Sequence, residues 1–197
     1  LILYCATTNP GKLREFQRAL PAPFEVRRMP GFAGIAAPEE TGSTFEENAA
    51  QKALYYSKRC DDFLFVDDSG LEADALGGEP GVYSARYAGP QATDQDNNRL
   101  LIERMSGKTD RTARFVCVVA LARRGELIKS FRGEVQGELL REPRGANGFG
   151  YDPLFYYVPF GCSFGEIAAE RKMQVSHRGK ALRAMADYLS RCDFQTK

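Results

Sequence analysis

Asp67 and Asp68 stand side by side after the apolar run Phe63-Leu64-Phe65-Val66 and before Ser69-Gly70-Leu71. The four apolar residues read as a short buried strand ending at the acids. Acid groups where a buried strand opens onto a loop are a common address for chemistry in α/β folds. Two neighbouring carboxylates are costly to bury without a counter-charge, so a basic side chain or a metal ion is expected beside them. The plain alternative is a solvated Asp-Asp-Ser-Gly turn.

Four other clusters carry chemistry of a related kind. Thr7-Thr8-Asn9-Pro10-Gly11-Lys12 lies between a strand-like run and a helical one. A helix start there presents free N–H groups and the positive end of its dipole, and Lys12 adds a mobile cation, which together suit a phosphate. The spacing is not that of a Walker loop. Glu39-Glu40 sit in a loop and, with Asp67-Asp68, offer the carboxylates from which magnesium takes one or two ligands beside substrate phosphate. One of these acids could also accept a proton from an attacking water. In Gly148-Phe149-Gly150-Tyr151-Asp152-Pro153, two glycines flank a ring that could stack on a base. The alternative is a Gly-rich turn whose Phe149 and Tyr151 fill core. In Ser176-His177-Arg178-Gly179-Lys180, a neutral histidine at a helix start and a cationic arginine could hydrogen-bond base carbonyls. The alternative is a capped helix start. Jointly the clusters describe a phosphate end, a metal centre and a base-reading end.

These residues need a scaffold. The 197 residues suffice for one domain with a proper core and room for two lobes, and 43% hydrophobic with 27% charged residues is ordinary for a globular chain. A net charge of +1 excludes global attraction to nucleic acid or anionic membrane, so direct nucleic-acid binding is not expected. No apolar run approaches the ~20 residues of a bilayer span, and Leu1–Ala6 has no basic residues before it, so neither a membrane span nor a signal peptide is expected. Five scattered cysteines without C-x-x-C spacing argue against zinc or a disulfide framework and fit a reducing cytoplasm.

Strands are expected at Leu1–Ala6, Phe24–Met29 and before Asp67. Helices are expected over Lys12–Leu20, from Ser43 or Thr44 to Cys60, over Thr93–Met105, and from after Ser176 to about Leu189. Arg114–Ala122 and Leu127–Phe131 read as a hairpin about Arg124-Gly125-Glu126, followed by strands near Glu134–Leu140 and Leu154–Val158. Early alternation and later hairpins predict a mixed sheet, partly parallel and partly antiparallel, flanked by helices.

In these residues the chain resembles the inosine triphosphate pyrophosphatase family, most closely its bacterial dITP/XTP pyrophosphatase branch. The matching pieces are Ala6 to Lys12, Glu39 to Gly42, Thr44 to Ala49 with Lys52, Asp67 to Leu71, Gly81 to Tyr87, Gly148 to Pro153, and Ser176 to Gly179, in the family's order over nearly the whole chain. The resemblance implies a single α/β domain over 1–197, with a curved mixed sheet in two lobes and the active-site cleft between them. It also implies a homodimer, Mg²⁺, and hydrolysis of deaminated purine triphosphates (dITP, ITP, XTP) to monophosphate and pyrophosphate. By position, Thr7, Thr8, Asn9, Pro10, Gly11 and Lys12 would bind triphosphate, with Lys52 a further phosphate ligand. Asp68 would accept the proton and, with Glu40, hold the metal. Ser69 would touch substrate, and Phe149, Gly150, Tyr151, Asp152, Lys172, His177 and Arg178 would hold the nucleoside. A phosphatase of the haloacid dehalogenase type is disfavoured because its D-x-D spacing is absent from Asp67-Asp68-Ser69. A non-catalytic nucleotide-binding module is the other class.

Overall fold

The computed structural model describes residues 1–192. Twelve regular elements follow in chain order: β1 (Ile2–Cys5), α1 (Pro10–Ala19), β2 (Glu25–Arg28), α2 (Phe45–Ser57), β3 (Leu64–Ala73), α3 (Asp94–Arg104), β4 (Thr112–Arg123), β5 (Glu126–Leu139), β6 (Phe155–Tyr157), β7 (Cys162–Ser163), α4 (Ala169–Val175) and α5 (His177–Arg191). The strands form one open seven-stranded sheet in the order β2-β1-β3-β4-β5-β6-β7. β1 pairs in parallel with β2 and β3, while β6 pairs antiparallel with β5 and β7, so the expected mixed sheet is observed.

Local chemistry explains the boundaries. Asn9 caps α1 with its side chain, and Pro10 follows at the first helical position, where a missing N–H costs nothing. Thr44 caps α2 by accepting from Glu47 N, while the Glu47 carboxylate turns back to Ser43 N and Oγ. Thr93 and Asp96 close a full capping box on α3. Arg124 and Gly125 both take positive φ (51° and 82°), the geometry of a tight two-residue hairpin, and join β4 to β5. Eight successive buried residues, Phe115 to Ala122, mark β4 as a strand covered on both faces, whereas β5 alternates from Phe131 to Leu139.

Four elements differ from the sequence expectation, one of them the two-residue strand β7, which has no expected counterpart. β3 does not end at the acids: Asp67, Asp68, Ser69 and Gly70 lie inside a ten-residue strand. The turn-like composition of Ser69-Gly70 is overridden because the acids find basic partners and stay paired in the sheet. The two strands expected on either side of Gly133 are one continuous β5. Glycine is needed there because a Cβ would lie 2.2 Å from the His177 carbonyl oxygen, where α5 crosses. The fourth is α4, a seven-residue helix without a side-chain cap, which has no counterpart among the expected elements.

The described chain packs as two compact units. One comprises Leu1–Asp68, Cys117–Gly133 and the segment from His177; the other comprises Ser69–Val116 and Glu134–Ser176. The first buries Leu3, Cys5, Phe16, Leu64, Phe65, Leu182 and Met185, with the Phe16 and Phe65 rings edge to face at 5.1 Å. The second is built on Leu71, Leu101, Phe115, Leu154, Phe155 and Phe164. The five cysteines are free thiols. Among the described residues no helix is long and apolar enough to cross a membrane.

Candidate active site

Two clusters of charge lie in the first unit, one on each side of β3. Successive strand residues point to opposite faces. Asp67 and Asp68 accordingly hydrogen-bond to different partners.

Asp67 takes Lys12 Nζ at 2.9 Å and the Arg178 guanidinium at 3.2 and 3.3 Å. Arg178 also pairs with Glu15, and the Cys117 sulfur lies 3.9 Å from Asp67. Asp67 and Arg178 are almost wholly buried. Burial alone would raise the Asp67 carboxyl, but Lys12 and Arg178, with Lys52 behind them, outweigh it and hold the group below the usual carboxylate range. Burial would lower Arg178, and Glu15 and Asp67 reverse that, so it remains firmly charged. Burial pushes the Cys117 thiol up, which makes it an inert neighbour.

Asp68 accepts from Lys52 Nζ at 2.7 Å, and the same ammonium reaches Glu40 at 2.9 Å. Asn48, fully buried, holds this group from one helical turn before Lys52: its Oδ1 accepts from Gly42 N at 2.8 Å, and its Nδ2 lies 3.5 Å from Asp68. A Cβ on Gly42 would sit 2.6 Å from Asn48 Oδ1, so the loop bearing Glu40 passes this close only as glycine. Burial raises the Asp68 carboxyl, and Lys52 offsets only part of that. Lys52, which burial would lower, is kept charged by Asp68 and Glu40. Glu40 and Asp68 are therefore two hard oxygen donors converging on one cationic point. That donor set fits a divalent ion completed by phosphate oxygens and water.

The strand-to-helix turn at Thr7–Lys12 differs from expectation in one respect. The N–H groups of Gly11 and Lys12 are not free; both donate to Asn9 Oδ1, at 2.8 and 3.1 Å. Thr7 Oγ1 accepts from Asn9 N, and Thr8 and Pro10 are exposed. His177 is buried at the first position of α5. Arg178 is placed among carboxylates of this unit, beside Asp67 and Glu15.

The second unit holds the other cluster. Asp152 Oδ2 accepts from Lys172 Nζ at 2.6 Å and from Phe149 N at 2.9 Å, both residues of the pair being buried. Lys172 Nζ stands 5.0 Å from the centre of the Phe149 ring. Gly148 has φ 77°, and a Cβ there would meet Asp152 Oδ2 at 2.0 Å, so the loop wraps the carboxylate closely. Tyr151 fills the core and its hydroxyl donates to Ser84 O at 2.8 Å. Ser69 is half-buried in β3.

Asn48, Glu15 and Asp67 complete these clusters and are absent from the residues carried over by resemblance. The helical spacings Asn48–Lys52 and Lys12–Glu15 put each pair on one face, which is the signal that could have found the first two.

The Ham1 family model matches residues 3–188. A dITP/XTP pyrophosphatase of Acidobacterium capsulatum is 49% identical over 195 residues, spanning 94% of this chain and 96% of its own length. One from Exiguobacterium is 47% identical over 184 residues, with 93% and 94% covered. Among solved structures, the Staphylococcus aureus Ham1 protein superposes with a TM-score of 0.86 at 39% identity, covering 96% of this chain and 98% of that one. The Coxiella burnetii HAM1 protein gives 0.87 at 38% identity, with 98% and 100% covered.

Proposed function

The chain belongs to the Ham1 family, and from that premise we propose that it hydrolyses deaminated purine nucleoside triphosphates (dITP, ITP and XTP) to the monophosphate and pyrophosphate. The reading rests on the activity for which its relatives are named, and removing these triphosphates would keep such bases out of DNA and RNA. It rests structurally on one observation: Lys52 Nζ joins Glu40 and Asp68 at 2.9 and 2.7 Å beside a carboxyl that burial has raised.

In the proposed reaction a water oxygen attacks the α-phosphorus and the bond to the α–β bridging oxygen breaks. Asp68 takes the water's proton, and pyrophosphate leaves. A raised carboxyl is the better proton acceptor, because its basicity lies nearer the working pH. Lys12 and Lys52 supply cations for the departing phosphates. Glu40 and Asp68 would hold Mg²⁺, which when bound supplies positive charge against the phosphate oxygens. Ser69 contacts substrate. Phe149 offers a ring face to the base, and Gly150, Tyr151, Asp152 and Lys172 complete the nucleoside end. Donors placed against a 6-oxo group disfavour adenine, whose 6-amino group leaves them unpaired. The working form is a cytoplasmic homodimer.

The test is product analysis with dITP, XTP, dATP and dGTP in Mg²⁺, quantifying pyrophosphate and orthophosphate separately. Pyrophosphate from dITP and XTP, with little from the ordinary nucleotides, supports the proposal. Orthophosphate alone would point to a phosphatase, and tight binding without turnover to a nucleotide-binding module.

A further inference from the structure

In the second unit, α3 holds both polar atoms of Gly150. Asp94 Oδ2 accepts from Gly150 N at 2.7 Å, and Asn98 Nδ2 donates to Gly150 O at 3.0 Å. Positions 94 and 98 are one helical turn apart and share a face, so two side chains of one helix reach one residue of the loop.

The loop needs such an anchor. Gly148 and Gly150 have φ of 77° and 61°, in the left-handed region. Glycine enters that region freely but also leaves it freely, because it has the most conformational freedom to lose on ordering. Within the loop, Asp152 accepts from Phe149 N at 2.9 Å and its own N–H donates to Phe149 O at 3.3 Å. Those bonds close the loop on Phe149. The next peptide, at Gly150, is held from α3.

The helix in turn is built to hold its acid still. Thr93 and Asp96 form the capping box, which sets the backbone at Asp94, the first helical residue. Asp96 is used in the cap and Asp94 in the loop, so the two acids of the first turn have separate tasks.

We propose that Asp94 and Asn98 are positioning residues that fix the Gly150 peptide and thereby present the Phe149 ring to the base of the nucleotide. The inference rests on the nucleoside-holding role given above to Phe149–Asp152. Neither residue belongs to the charge clusters about Asp67 and Asp68. Their loss therefore weakens substrate binding more than it slows the bond-breaking step.

The experiment compares Asp94→Ala, Asn98→Ala and Asp94→Asn with the wild type, using dITP in Mg²⁺ well below each protein's melting temperature, alongside amide exchange of the 148–152 segment. A net hydrogen bond of ordinary strength corresponds to roughly 5-fold in an equilibrium constant. Each alanine variant is expected to raise KM for dITP by about that factor, with the loss falling mainly on KM, and to speed exchange at Gly150. Asp94→Asn keeps the acceptor but not the charge at the helix start, so it should rescue KM. If Asp94→Asn is as impaired as Asp94→Ala, the acid acts through helix stability and the proposal is overturned. Faster exchange with unchanged KM overturns it too, since the clamp would then serve only the fold. A wild type that makes no pyrophosphate from dITP or XTP overturns the nucleotide reading itself, an outcome separable from the other two.

Discussion

Replacing Asp67 by Asn tests whether the buried ion network, and not the fold alone, sets the stability of the first unit. Asp67 is 5% exposed and accepts from Lys12 at 2.9 Å and Arg178 at 3.2 and 3.3 Å. Removing one member of a buried pair costs about 3–5 kcal/mol, because the remaining charge is left desolvated and unpaired. Two features reduce that here. The carboxamide retains one acceptor, and Arg178 keeps Glu15. Lys12, with 21% of its side chain exposed, can turn toward water. A loss of about 2–3 kcal/mol at neutral pH is therefore expected, roughly 4–12 °C in Tm for a chain of this size.

The pH dependence gives a second, independent sign. The folded carboxyl lies below its ordinary value of 3.8, so its stabilisation is present above that value and is lost as pH falls through the folded one. Urea unfolding of wild type and Asp67→Asn in EDTA, from about pH 7 down to about pH 3, should show a gap that is constant at first and then narrows below about pH 4. Equal stability at pH 7, or a gap that widens in acid, would refute the reasoning.

Asp68→Asn should lower kcat by roughly 10²–10⁴ with a smaller effect on KM, measured by steady-state pyrophosphate release; equal losses in both would make the acid merely structural. Lys52→Met leaves Glu40 and Asp68 facing each other without their shared ammonium. Its Tm should fall by several degrees, and Mg²⁺ should restore more to it than to the wild type in a thermal shift assay. Gly133→Ala would place a Cβ 2.2 Å from His177 O and 2.7 Å from Ala181 N. Both are backbone atoms and cannot swing aside, so unfolding should be easier by roughly 1–3 kcal/mol, read from urea midpoints.

The elements that sequence reveals are those whose cause is local. Asn9-Pro10, Thr44 with Glu47, and Thr93 with Asp96 announce helix starts, and the apolar run Phe115–Ala122 announces a central strand. The elements it hides have distant causes. Gly133 reads as a break, yet it is the point where α5 comes closest to β5. Ser69-Gly70 reads as a turn, yet β3 continues because bases 55 and 111 residues from Asp67 in the chain neutralise it. α4 has no side-chain cap to announce it.

The same distinction governs the site. The need for positive charge beside Asp67-Asp68 follows from burial, and Lys12, Lys52 and Arg178 supply it. Which base goes to which acid does not follow from the residues' order. Arg178 looks like a reader of base edges when seen as Ser176-His177-Arg178, but its guanidinium is committed to Asp67 and Glu15. Continuation of the strand through the acids divides the labour. On one face Asp67 is held low by burial overcome by two strong cations, and is suited to structure. On the other, Asp68 is raised by burial that Lys52 and the charge of Lys12 only partly offset, and it shares Lys52 with Glu40. Had the chain turned at Ser69, both acids would face solvent with ordinary acidity, and neither an anchored frame nor a tuned base would exist. Adjacent, chemically identical side chains thus acquire opposite acidity from the period of two in an extended strand.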